Sequence, residues 1–186
     1  MRLSVLIAAR NSGSFLRPLL ERLSAQDVTE VVVVDMGSHD DTVAVARGFG
    51  ADVSRSAGEN YAKSLNAGVR LTSRDALLFL PANAEIPIDL ADQVLEALES
   101  DESALGVIFQ VRSGKTLFRS ILQWFGSGFS NEQPCAFAVR REVFLRLGGF
   151  SDTDERPISS FMRRLHAEGK VRPIRTMVVL AHSKDA

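Results

Sequence analysis

Cysteine is almost missing from this chain, and its scarcity removes two classes of architecture at once. Cys135 stands alone, so no internal disulfide can form, and no Cys/His cluster has the spacing of a zinc site. Net charge is also nearly missing: −1 overall, which gives no bulk attraction to nucleic acid or to an anionic membrane. Cations gather locally only in places such as Arg112 to Arg119. Long apolar runs are absent. No stretch approaches the ~18 residues needed to span a bilayer, and the opening MRLSVLIAAR is too short in its apolar part for a signal peptide. It reads instead as a first core strand. Repeats, low-complexity segments and linker-like stretches are lacking as well. These absences, with a reducing compartment implied by the lone thiol, lead to the expectation of a cytoplasmic protein with no nucleic-acid partner.

What is present is an ordinary globular composition, 45% hydrophobic and 24% charged, over 186 residues. That length suits one domain with one sizeable core. Leu3 to Ala8 reads as a strand, and Ser12 or Ser14 as the cap of a helix whose stripe is Phe15, Leu16, Leu19, Leu20 and Leu23. Val31 to Val34 is apolar on both faces, as a strand between two helix layers must be. Asp40 or Asp41 caps the next helix, which closes near Gly48 and Gly50. A small strand at Ala51 to Ser54, a helix at Asn60 to Leu71 and a buried strand at Ala76 to Leu80, stopped by Pro81, complete the first half.

Strands separated by helices of this length predict right-handed βαβ units and a mainly parallel α/β sheet. Ligands of such sheets bind beyond the carboxyl ends of the strands. Those ends are Ala8-Ala9-Arg10-Asn11, Asp35-Met36-Gly37-Ser38 and Pro81-Ala82-Asn83-Ala84. In the second half the pattern predicts a helix at Pro87 to Glu99 with Pro87 in its first turn, and a strand at Ala104 to Val111. It then predicts an amphipathic, aromatic-rich segment at Lys115 to Phe129 and a strand at Ala136 to Val139. A short helix at Glu142 to Leu147, a turn at Gly148-Gly149-Phe150, a helix at Ser159 to Glu168 and a last strand at Met177 to Ala181 follow.

Five segments, taken in order, resemble the family 2 glycosyltransferases. They are SVLIAARN (4–11), VVVVDMGSHDDT (31–42), GENYAKSLNAG (58–68), ALLFLPANAEIP (76–87) and VRREVFLRLGGF (139–150). The second is the most specific, and the closest likeness is to short soluble bacterial members. The resemblance implies a single domain of GT-A type, Rossmann-like, with a nucleotide-binding half at 1–87 and an acceptor-side half at 88–186. It further implies a nucleotide-diphosphate sugar as donor, of UDP type, and inverting transfer to a hydroxyl acceptor. Ala8, Arg10, Asn11, Asp35, Gly37 and Lys63 are the implied nucleotide contacts. Asp35 is the carboxylate that would accept a hydrogen bond from the nucleobase; the alternative is an aspartate that only closes a DxGS turn. Lys63 and Arg10 are the cations that would meet the diphosphate, or else solvated surface charges.

The family's chemistry asks for a carboxylate holding a divalent metal, Mn or Mg, and for a second carboxylate to take the acceptor's proton. Here Asn83 stands where members carry Asp after Phe-Leu-x-Ala, and Pro81 where many carry an earlier Asp, a degenerate DxD. A neutral carbonyl oxygen binds a hard cation weakly, with Glu85 as the second candidate; the alternative is a Pro-Ala-Asn turn without metal. The base position falls on Pro157-Ile158, which leaves Asp152, Asp154 and Glu155 upstream as candidates. The acidic residue expected before Val139 is replaced by Gln133-Pro134-Cys135. The rival reading is therefore a catalytically impaired nucleotide-binding or scaffold module of the same fold. A nucleotidyltransferase is a weaker third, since Asn11-Ser12-Gly13-Ser14 is a poor nucleotidyl-transfer loop. Asn66 and Gly68 are explained by helix–sheet packing. His182 after the last strand is a distant metal candidate, and Cys135 a core residue. Residues 115–129 fit a core or dimer face, a membrane-surface contact or an acceptor pocket.

Overall fold

A computed structural model of the chain describes residues 1–26, 28, 30–56, 60–113, 116–118 and 136–181. The first half runs β1 (Leu3–Ala9), α1 (Gly13–Ser24), β2 (Glu30–Asp35), α2 (Thr42–Gly48), β3 (Asp52–Arg55), α3 (Tyr61–Val69) and β4 (Ala76–Pro81). β1 pairs in parallel with β2 and β4, and β2 with β3, giving the order β3-β2-β1-β4. The apolar runs in these strands follow from their being covered on both faces. Val5 and Ile7 of β1 join Leu16, Leu19 and Leu20 of α1 in one core, while Leu6 between them joins Leu65 and Val69 of α3 in the other. Gly68 permits that second approach. A Cβ on it would lie 2.5 Å from Val34 Cγ2, so the expected packing role is borne out.

After β4 the chain continues with β5 (Ala84–Glu85), and then with α4 (Leu90–Glu99), β6 (Ala104–Ser113), β7 (Thr116–Phe118), β8 (Phe137–Arg140), α5 (Arg141–Arg146), α6 (Pro157–Glu168) and β9 (Lys170–Leu180). It extends the same sheet to β3-β2-β1-β4-β8-β6-β9-β5, with β7 hanging from β6. Here antiparallel pairs enter: β8 runs against both β4 and β6, and β5 against β9. Five phenylalanines bind the halves together under the sheet. Phe79 of β4 stacks on Phe137 of β8 at 4.8 Å, and Phe144, Phe150 and Phe161 close around them.

Several elements differ from the sequence pattern, among them the unexpected two-residue strand β5 and α6, which starts at Pro157 rather than Ser159. α4 begins at Leu90 rather than Pro87, because Asp89 has non-helical angles and Gln26 grips the entry, donating to Pro87 O and accepting from Ala91 N. Of the amphipathic segment 115–129, residues 116–118 form β7 against β6; the rest lies outside the described residues. β9 starts seven residues before Met177, pairing along β6 although Pro173 and three cations sit in its first half.

Candidate functional site

Parallel pairing brings the carboxyl ends of β1, β2 and β4 to one level. Ala9 lies opposite Asp35, and Ala8 opposite Pro81. The chain leaves β1 toward β2 on one side and reaches β4 on the other, so a crevice opens between β1 and β4, where such sheets hold ligands. Ala8, Tyr61, Phe79, Pro81, Phe150 and Ile158 line an apolar depression there.

The loop after β1 is held by the loop after β2. Asn11 takes φ +47°, which turns its amide toward Ser38 Oγ at 2.9 Å and its side-chain oxygen toward the His39 amide at 2.8 Å. The Ser12 amide donates to Thr42 Oγ1 and that of Gly13 to Asp40 Oδ2. The successive amides of Asn11, Ser12 and Gly13 are thus all answered by side chains, so this helix start is no phosphate cradle. Burial opposes ionisation of Asp40, but bonds from Thr42 and Gly13 outweigh it and hold its carboxyl below the ordinary value. A Cβ on Gly13 would fall 1.8 Å from Asp41 Oδ1, so the exposed Asp41 side chain would have to move to admit one. Arg10 remains exposed at the lip of the crevice on this fixed backbone.

Asp35 is only 3% exposed. Its Oδ1 accepts from the Ser38 amide at 3.0 Å, and its Oδ2 lies 3.8 Å from Arg55 Nε. Gly37, with φ +85°, completes the turn. The carboxylate therefore closes the DxGS turn, as one of its two sequence readings has it. Beside it, Ser56 donates its amide to Asp35 O while its buried hydroxyl has no partner among the described residues.

On the other lip, Ala82 returns a bond to Ala8 O, and Asn83 makes two bonds to one residue of the last strand's exit. Its Nδ2 donates to Ala181 O at 2.9 Å, and its backbone oxygen accepts from the Ala181 amide at 2.9 Å. Glu85 is exposed on β5. Among the described residues no three of His, Cys, Asp and Glu are grouped to hold a metal; His182 lies outside them. A divalent cation is implied by the family, and the residues described do not fit one: an amide nitrogen, a proline and an exposed glutamate make no cation shell.

α3 and the turn after α5 meet at the crevice. Asn60 caps α3 by accepting from the Lys63 amide at 2.9 Å, and its Nδ2 donates to Asp152 O at 2.7 Å. Lys63 Nζ stands 3.6 Å from Asp152 Oδ2. Asn66 exchanges two bonds with Phe150, and Arg164 donates to the carbonyls of Leu147 and Gly149. This loop places Asp152 beside Lys63, while Asp154 and Glu155 are exposed farther along it. Pro157 and Ile158, at the base position, are buried at the start of α6. The sequence pattern missed the brackets made by Asn60, Asn66 and Asn83; each joins residues more than 80 positions apart, beyond any local periodicity.

Comparison with known proteins gives a consistent picture. The sequence model described as Glycosyl transferase family 2 matches residues 4–163. Among solved structures, the chain is similar to a mannosyltransferase from Pyrobaculum calidifontis in complex with GDP-Man and Mn2+, at 19% identity and TM-score 0.79. That match covers 100% of this chain and 58% of the other. S. aureus TarS (residues 1–349) in complex with UDP-GlcNAc follows at 16% identity and TM-score 0.77, covering 99% and 60%. Glucosyl-3-phosphoglycerate synthase from Mycobacterium tuberculosis, in complex with Mn2+, UDP and glucosyl-3-phosphoglycerate, matches at 18% identity and TM-score 0.69, covering 100% and 73%. The chain therefore spans less than two thirds of the first two. At these identities the likeness establishes the fold, which is of GT-A type.

Proposed function

The chain belongs to glycosyl transferase family 2, and from that premise we propose that it binds a nucleotide-diphosphate sugar across the carboxyl ends of β1, β2 and β4. The sugar passes to a hydroxyl acceptor with inversion. The observation that carries this reading is the crevice between β1 and β4, whose two lips are braced by bonds from other elements. A crevice at the topological switch point of such a sheet is where a nucleotide site is expected.

In this proposal the nucleoside lies over Ala8, Asn11 and the Asp35–Gly37 turn, a uridine base being the first choice. Asp35 acts by holding that turn. The diphosphate lies toward Arg10, with Lys63 on the opposite bank. The acceptor oxygen attacks the anomeric carbon as its bond to the diphosphate breaks, and the hydroxyl proton passes to Asp152. Asp152 is preferred over Asp154 and Glu155 because the fold holds it at the α3 start. The division into a nucleotide half (1–87) and an acceptor half (88–186) belongs to the same reading. So do a cytoplasmic setting, a homodimer and a membrane-surface contact through 115–129, which sedimentation and vesicle flotation address. No helix among the described residues is long and apolar enough to cross a membrane.

Titration calorimetry with UDP, GDP and their sugars tests the reading. The expected result is micromolar to millimolar binding of one diphosphate, with sugar release from its donor. Binding without turnover in the presence of varied acceptors would leave the impaired module standing. Asp152→Asn is expected to keep donor affinity while lowering turnover about 100-fold or more.

A further inference from the structure

We infer that this chain holds the donor diphosphate without a divalent cation at Asn83, and that Arg10 supplies the positive charge instead. The inference rests on the nucleotide-binding reading above and adds what neutralises the diphosphate.

Asn83 is committed by its chemistry. It must both donate from Nδ2 and accept at its backbone oxygen to hold Ala181, and these bonds fasten the two-residue strand β5 against β9. Aspartate in that place would set a carboxylate oxygen against the Ala181 carbonyl, two acceptors with no proton between them. The position therefore selects asparagine for a strand brace, and a metal-holding carboxylate is incompatible with that brace. Pro81 lends no ligand, and Glu85 is carried on β5 with its side chain exposed.

The charge has to come from elsewhere at the crevice. Among the described residues, three cations stand at or just beyond the carboxyl ends of the parallel strands: Arg55 ends β3, Arg10 follows β1 and Lys63 lies in the first turn of α3. Arg55 is engaged by Asp35 at 3.8 Å and Lys63 by Asp152 at 3.6 Å. Arg10 has no carboxylate partner among the described residues, and it directly follows β1, across the crevice from Asn83. Its backbone is fixed on both sides, by Ala9 in the sheet and by Asn11 locked to Ser38 and His39. An arginine so placed offers a planar fork of donors that matches two phosphate oxygens. Because its charge is permanent, it needs no metal to be present.

The test measures affinities of uridine, UDP, guanosine and GDP by calorimetry, in excess Mn2+ and in EDTA, for wild type, Arg10→Gln and Asn83→Asp. Diphosphate affinity is expected to agree within twofold between Mn2+ and EDTA. Arg10→Gln should weaken the diphosphate about tenfold or more and leave the nucleoside unchanged. Asn83→Asp should melt earlier without acquiring Mn2+ dependence. Wild-type diphosphate binding that strengthens tenfold with Mn2+ overturns the inference, as does an Arg10→Gln variant that binds the diphosphate normally. An Asn83→Asp variant that binds Mn2+ with unchanged melting overturns the brace argument. If neither nucleoside nor diphosphate binds under any condition, the nucleotide reading itself falls; binding that requires Mn2+ removes only the present inference.

Discussion

Asp40 shows what the loops at the crevice demand of single side chains. One oxygen accepts from the Gly13 amide and the other from Thr42, so its carboxylate sits where an anion would otherwise bind at the α1 start. Asp40→Ala should destabilise the protein by about 1–2 kcal/mol, read from urea unfolding. Its titration carries a further expectation. Asp40 is more acidic folded than unfolded, and so is Glu30, where burial is outweighed by bonds from Ser4 and Ser73 and by Arg74. Asp101, bonded by Lys170 and Ser103, is lowered to about 2. Depressed carboxyls stabilise the fold above the unfolded value near pH ~4, and that contribution is lost as pH falls toward the folded values. Melting temperature should therefore hold steady from neutral pH to about 5 and decline below ~4. The decline should be shallower in Asp40→Asn; an equal slope would show that Asp40 is not among the groups responsible.

At the scale of elements, α3 is the member that joins sheet and crevice. Gly68 lets it approach Val34, and Asn66 exchanges two bonds with Phe150 across the turn. Gly68→Ala should cost about 1–3 kcal/mol by overpacking, and Asn66→Ala about 1–3 kcal/mol by leaving the Phe150 backbone groups unpaired. The two differ in hydrogen exchange: Asn66→Ala should expose the Phe150 amide locally, whereas Gly68→Ala should lower protection across α3 and β2. Gly68 was legible because it falls in the segment GENYAKSLNAG that resembles the family's helix motif, whereas the bonds of its neighbour Asn66 to Phe150 were not. β1, β2 and β4 were legible because burial on both faces forces unbroken apolar runs. β9 was not legible in full. Its first half carries Lys170, Arg172, Pro173 and Arg175, side chains that suit a sheet edge but conceal a strand. The site was legible in its loops and not in its bonds. Asp35, Asn11 and Asn83 lie where the strand ends predict, but the partner that decides each role is set by the fold.

For the molecule as a whole, the division proposed at residue 87 falls within a single folding unit. β4 belongs to the first half by sequence, but it is flanked by β8 of the second, and their phenylalanines share one cluster. β5, before the division, lies at the far edge beside β9. Residues 1–87 alone would leave the second edge of β4 unpaired and lose the partner of β5, so this fragment should not fold independently. The full chain should unfold in one calorimetric transition whose van't Hoff and calorimetric enthalpies agree. A ligand bound between β1 and β4 must then stabilise elements it never touches. A nucleoside diphosphate at 100 times its Kd contributes about 2.7 kcal/mol, which for a chain of this size raises Tm by about 5–10 °C. The rise should be the same in EDTA as in Mn2+ if Arg10 replaces the cation. Amides of α6 should gain protection together with those of β1, since Phe161 and Phe137 share a core with Leu6. Protection gained in β1 but not in α6 would mean that the halves melt separately, and a separately folding fragment 1–87 would show the same directly.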